Sequence, residues 1–297
     1  MTQNLSSFLN ISRWLAALLV VVGHVRHLIL VDFKAVEQKT IIFKAIYFVT
    51  GLGHEAVVIF FVISGFLVGS LTLKRWQSDG PNIRAYATAR ICRIYTVLVP
   101  ALIVGLTLDL VGMQWLNASE LYTNSTQYNT VSLNQTISAT VDLPTFVGNF
   151  FMMQNILVGT LGSNAPLWSL AYEWWYYCIF ALLGIALTGR DGRSRIICGL
   201  SAIFISIVLP KKLMLWGIIW LLGIGIHIWI SLKLWRPHPL FGLTVFIFAI
   251  IASRMSHNID NVANQESMIT SFIRDFMLGF AYCIAMVSIS KMTTQLA

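Results

Sequence analysis

The sequence predicts an all-α, polytopic transmembrane helix bundle. Three observations carry that reading. Apolar residues make up 57% of the chain and charged residues only 11%, against about a quarter charged in a soluble domain. Mean hydropathy is +0.75. Apolar blocks recur along all 297 residues, several of them near the roughly 20 residues that cross a bilayer. The whole chain, 1–297, therefore reads as one integral membrane domain rather than a soluble domain with an anchor.

The spans fall near 8–30, 46–72, 94–112, 167–188, 196–210, 213–231, 240–253 and 269–290, about eight, with the fifth and seventh short. The first run is too long for the apolar part of a signal peptide and lacks a convincing cleavage site, so it stays as a helix. Segment 145–160, TFVGNFFMMQNILVGT, is apolar but dotted with Asn and Gly. It reads as interfacial or re-entrant rather than as a crossing. No repeat of fixed period is visible, which gives an inverted-repeat transporter no support.

Basic residues set the orientation. The net charge of +8 fits cytoplasmic loops enriched in Lys and Arg better than it fits nucleic-acid binding. With the amino terminus inside, eleven basic residues are cytoplasmic: Lys74, Arg75, Arg84, Arg90, Arg93, Arg190, Arg193, Arg195, Lys233, Arg236 and Lys291. Six lie outside: Lys34, Lys39, Lys44, Lys211, Lys212 and Arg254. Residues 94–189 contain neither Lys nor Arg, so the polar loop 113–144 faces outward. Its composition suits a sugar-facing surface, and its sequons at Asn117, Asn124 and Asn134 suit glycosylation in a eukaryotic lumen. The four cysteines are far apart, with no metal-ligand spacing, so neither disulfides nor a metal site is expected.

An ionisable side chain within the membrane is costly and is a functional candidate by default. Arg13 and His24 bracket an uncharged run, Trp14 to Gly23. Eleven helical residues bring them within about 20° of one face and roughly 16 Å apart along the axis. Arg13 sits near the cytoplasmic surface, able to meet a phosphate or carboxylate. His24 sits in the core, where a neutral imidazole does general-base work. The structural alternative is a snorkelling Arg and a His bonded to a neighbouring helix. Arg26 and His27 read as interfacial.

Three further stretches qualify. In Phe60-Phe-Val-Ile-Ser-Gly-Phe-Leu67, Ser64-Gly65 allows close helix contact and a bond across helices. His54-Glu55 opens that helix, and a Glu in the first turn suits the helix dipole. Arg90 and Arg93 share a face, with Arg84 a turn or two earlier. Arg forks bind two phosphate oxygens at once, although a positive-inside flank explains any one of them. Beside Arg13 they would make an anion site on the cytoplasmic side. In Pro166-Leu-Trp-Ser-Leu-Ala-Tyr-Glu-Trp-Trp-Tyr-Tyr177, the aromatics suit the outer interface. Glu173 shares a face with Ser169 and Tyr177, placed to orient a histidine, bind a sugar hydroxyl or pair with a buried Arg.

Taken in order, Arg13-x10-His24, FFVISGFL at 60–67, RICRIY at 90–95 and PLWSLAYEWWYY at 166–177 resemble the signature segments of the acyltransferase 3 family of bacterial integral membrane O-acyltransferases. The motifs cover roughly residues 8–180. Beyond 195 the likeness is general hydrophobicity. The resemblance implies a bacterial inner-membrane enzyme that moves an acetyl or other short acyl group from acyl-CoA, a co-substrate rather than a bound cofactor. The acceptor would be a hydroxyl of a surface carbohydrate or lipid-linked glycan. It also implies about ten helices and a late segment like S-Y-x-x-Y-L-x-H, so this chain, ending at KMTTQLA, is expected to lack closing helices.

On that reading His24, Glu173 and Arg13 are catalytic. Arg13, Arg90 and Arg93 hold the CoA phosphates. His24 acts as general base or acyl carrier, Glu173 positions His24 or the acceptor, and Ser64, Trp168, Ser169 and Tyr172 line the passage. The rival readings are a transporter or flippase for an anionic glycan-linked substrate, which would bind with the same groups, and an inactive truncated subunit.

Overall fold

A computed structural model describes residues 2–30, 33, 36–115, 119–124, 136–232, 234–263 and 267–291. Lys34, Lys233, the sequons at Asn117 and Asn134 and the tail after Lys291 lie outside the described residues. The elements are helical: α1 (Gln3–Ile29), α2 (Ile41–Thr50), α3 (Gly53–Ser64), a π-helical turn (Gly65–Ser70), α4 (Leu71–Asp79), α5 (Ile83–Gln114), α6 (Ser119–Thr123), α7 (Leu143–Phe150), α8 (Leu167–Thr188), α9 (Gly192–Val208), α10 (Lys211–Ser231), α11 (Pro239–Ala263) and α12 (Met268–Ile289). A short 3-10 turn, Ile137–Thr140, precedes α7. Among the described residues there is no strand, so the all-α class holds.

Among the described residues, seven helical stretches are long and apolar enough to cross a membrane. Seven of the eight expected spans overlap them, and 196–210 does not. Its helix, α9, starts at the Asp191 cap and ends before Pro210. Its 17 residues reach about 25 Å at 1.5 Å each, short of a roughly 30 Å hydrocarbon core.

The chain forms two compact units. The first holds residues 1–26, 36–78 and 211–297. Here α10 packs on α3 and on the π-helical turn, and α12 packs on α10, α3 and α11. Small residues permit these approaches. A Cβ on Gly65 would run into the Trp220 carbonyl, and one on Gly223 into the Val62 carbonyl. Trp220 Nε1 donates to Ser64 Oγ at 3.2 Å, the close contact and cross-helix bond expected of Ser64-Gly65. The second expected span is broken at Gly51, where a Cβ would overlap the Arg254 guanidinium. That guanidinium donates to the Tyr47 carbonyl at 3.3 Å.

The second unit holds residues 27–35 and 79–210. Asn82 starts α5 by accepting from Ala85 N at 3.1 Å. Segment 145–160 does not cross: α7 has only eight residues, and turns follow it. Its Asn and Gln side chains do the work of a missing helix. Buried Asn149 donates to Thr145 O and Gly159 O at 2.8 Å each and accepts from Leu161 N at 3.1 Å. Gln154 Nε2 donates to Leu167 O at 2.9 Å. Irregular backbone needs such partners where water is absent. Asn164 donates to Ala101 O at 3.1 Å, so α8 starts beside the middle of α5, which runs on for about 20 Å at 1.5 Å per residue.

Candidate functional site

The predicted residues fall into two groups, one in each unit. In the second unit α5 and α8 bring the arginines to the aromatic seam. The Arg90 guanidinium lies 5.8 Å from the Tyr86 ring centre and 5.5 Å from that of Tyr177, a cation held between two π faces. Tyr86 is fixed by donating to the Tyr177 carbonyl at 3.1 Å. Glu173 accepts a hydrogen bond from Tyr177, the i+4 partner expected, and Arg93 lies 3.8 Å away. Of the roles expected for Glu173, pairing with an arginine is the one this geometry supplies. Arg93 thus already faces a carboxylate, while its side chain stays 43% exposed.

Tyr172, Tyr176 and Tyr177 are buried, because this end of α8 packs against α5 and the turns after α7. Trp168 stacks edge-on to Tyr172 at 5.2 Å between ring centres, and Ser169 Oγ donates back to Pro166 O at 3.1 Å. Sequence reasoning missed Asp109. It is buried and accepts from Ser163 N and Ser163 Oγ at 2.8 Å each. Partial burial, with Asp109 nearby, pushes the Tyr122 phenol above its ordinary value.

In the first unit α1 carries both Arg13 and His24 on one unbroken helix. Arg13 is exposed and His24 half-buried. The two-glycine crossing sets the level of His24. A Cβ on Gly23 would lie 3.2 Å from Thr50 O and 3.8 Å from Gly53 Cα, so α1 and the start of α3 nearly touch. The next residues along the two helices are His24 and His54. Ser64 is 4% exposed and bonded to Trp220, a helix-packing position.

The same unit holds a polar cluster that the sequence reading passed over. His54 Nε2 donates to Asp275 Oδ2 at 2.8 Å, and Trp216 Nε1 donates to the same oxygen at 3.0 Å. Arg274 Nε lies 3.6 Å from Asp275 Oδ1. Glu55 is 2% exposed and accepts from Ser253 Oγ at 3.2 Å. Glu55 stands in the first turn of α3 as expected and is held in addition by this buried bond to α11. Ser253 and Arg274 also line an apolar cavity of about 550 Å³ between α11 and α12, with Phe248, Met277, Phe280 and Ile284. Arg26 lies over the Tyr47 ring at 5.1 Å.

A family profile described as an acyltransferase domain, acyltransferase 3, matches residues 6–292. The chain belongs to the acyltransferase 3 family. The match runs well past residue 195, where the motifs readable by eye gave way to general hydrophobicity. Searches of curated proteins and of solved structures returned no match. Family membership and seven apolar helices make the chain a multi-pass membrane acyltransferase.

Proposed function

We propose that this acyltransferase moves an acetyl or other short acyl group from acyl-CoA to a hydroxyl of a cell-surface carbohydrate, such as lipopolysaccharide O-antigen or exopolysaccharide. It would act in the bacterial inner membrane with its amino terminus in the cytoplasm. The observation that carries the reading is α1 itself. One unbroken helix holds a surface cation, Arg13, and a half-buried base, His24, on one face.

His24 takes the proton from the acceptor hydroxyl as its oxygen attacks the thioester carbonyl. Arg13 meets donor phosphate charge; within the second unit Arg90 and Arg93 are the cations suited to such charge. Arg90 suits that task because Tyr86 and Tyr177 hold its plane in place, which limits the ordering needed on binding. Within the second unit Glu173, tied by Tyr177, suits a sugar hydroxyl, and the partly exposed Trp168, backed by buried Tyr172, suits a sugar ring face. The test is transfer of label from radiolabelled acetyl-CoA in membranes containing the wild type, His24→Ala or Arg13→Ala. Loss by 100-fold or more is expected in His24→Ala, in the range of general-base catalysis. Wild-type activity in that variant would sink the proposal.

A further inference from the structure

We propose that His54 and Asp275 form a second acid–base unit of the transfer, in which His54 protonates the leaving sulfur and Asp275 positions it. The inference rests on the acyl-transfer reading above and assigns a group to the half of the reaction that His24 leaves unserved.

Transfer breaks two bonds to heteroatoms. The acceptor O–H gives its proton to His24 as the new O–C bond forms. The thioester C–S bond breaks, and its electron pair goes to sulfur, which must end as a thiol. An alkyl thiol has an ordinary pKa of about 8.5, so a proton delivered as the bond breaks eases departure. His54 supplies that proton. The proton on His24 then passes to His54, and both rings return to their starting states. No oxidant, metal or additional reactant is needed.

The geometry suits His54 to the acid role. Its Nε2 is held at 2.8 Å by a carboxylate that is itself fully buried and whose same oxygen accepts from Trp216 at 3.0 Å. A positive ring therefore faces a preorganised negative charge. The His54 side chain remains 32% exposed while Asp275 is 0% exposed, the arrangement of a reactive ring backed by a buried orienting group. The glycine crossing of α1 on α3 starts His24 and His54 from the same level. Two histidines in different surroundings can divide acid and base work between them.

The charged and titratable groups around His54 are Asp275 and Arg274 from α12 and Glu55 from α3. Arg254 on α11 acts on Glu55, Lys212 lies over Trp216 on α10, and on α1 Arg26 lies over the Tyr47 ring while His24 follows the Gly23 crossing. The test is the pH dependence of acetyl transfer by the full chain, with folding checked by thermal unfolding in detergent. The wild type should give a bell, with His24 on the acid limb and His54 on the alkaline limb. His54→Gln should lower kcat about 100-fold, remove the alkaline limb and leave KM for acetyl-CoA unchanged. Asp275→Asn should move the alkaline limb to lower pH, since the positive ring loses its partner.

A merely structural role moves neither limb. An unchanged profile in His54→Gln overturns the inference while leaving the acyl-transfer reading intact. A wild type that transfers nothing removes that reading and the inference with it. Should either variant fail to fold, Trp216→Phe removes only one hydrogen bond to the same carboxylate oxygen. An alkaline limb unmoved in Trp216→Phe then overturns the proposal.

Discussion

The two units hold comparable polar clusters built in opposite ways. In the second unit the Tyr86, Arg90, Arg93, Glu173 and Tyr177 cluster comes from two short stretches, each with its polar residues on one helical face. Arg93 is 43% exposed, and its partner Glu173 lies 3.8 Å off and is 18% exposed. In the first unit His54 meets Asp275 across 221 positions of sequence, with Asp275 fully buried at 2.8 Å. One cluster is local, and its carboxylate is partly exposed. The other is long-range, and its carboxylate is fully buried. The difference decides what each contributes, because charge pairing is weak when exposed and breaking a buried pair is costly.

The widest gap should therefore separate Asp275→Ala from Glu173→Ala. Removing Asp275 strips a half-buried histidine and a buried indole of their fully buried acceptor and should cost about 3–5 kcal/mol. Removing Glu173 loses a long ion pair and one tyrosine bond, about 1–2 kcal/mol. Thermal unfolding of the detergent-solubilised protein at fixed pH measures both. Equal losses would mean that the carboxylate of the second unit is as shielded from water as that of the first.

Close packing within the first unit gives the next contrast, on a single helix. Gly223→Ala pushes a methyl into the Val62 carbonyl and the Phe66 amide, neither of which can move without its helix. A loss of about 1–3 kcal/mol is expected. A Cβ on Gly225 meets nothing within 4 Å, so Gly225→Ala should be neutral or stabilising by up to about 1 kcal/mol. The same melts, run on the two variants side by side, read the sign.

The contrast between the units also explains what was legible in the sequence. Apolar blocks of span length announced the bundle, and i, i+4 spacing announced Glu173 with Tyr177. Both signals lie within one helix. Glu55 read as a first-turn carboxylate because nothing near it in sequence reveals Ser253, and Asp275 passed unnoticed beside Arg274 because its partners come from α3 and α10. The aromatics of α8 were placed at the interface by composition. Three of them, Tyr172, Tyr176 and Tyr177, are also buried within the protein, contacts that composition does not reveal. The Asn and Gly dotting segment 145–160 marked it as interfacial or re-entrant, without showing what Asn149 and Gln154 hold. Those two side chains are the partners that an irregular buried backbone requires.

Arg90 carries a smaller prediction. Arg90→Lys keeps the charge but loses the planar group between Tyr86 and Tyr177. Stability should fall by about 0.5–1 kcal/mol. If Arg90 meets donor phosphate, KM for acetyl-CoA should rise several-fold with kcat little changed, the signature of lost uniform binding. Steady-state kinetics across donor concentrations separate this from damage to the reacting groups, which lowers kcat.

The smallest expected effect concerns how the units start their helices. In the second unit Asp191 caps α9, accepting from Ser194 N and Ser194 Oγ at 2.8 and 2.6 Å. These hydrogen bonds, the side-chain one first, hold its carboxyl below the usual Asp value. A depressed folded value means that the cap's contribution is present above the unfolded value of about 3.9 and is lost as pH falls through the lower folded one. In the first unit α12 is capped by Ser267, whose hydroxyl accepts from Ile269 N at 3.2 Å and does not titrate there. Hydrogen exchange should show the contrast directly. Relative to Asp191→Asn, whose cap is uncharged, the wild-type amide of Ser194 should keep constant protection above about pH 5 and lose it below about pH 4. The amide of Ile269 should show no such change in either protein. A flat ratio at Ser194 down to pH 2.5 would mean that α9 is held by its packing on α8 and not by its cap.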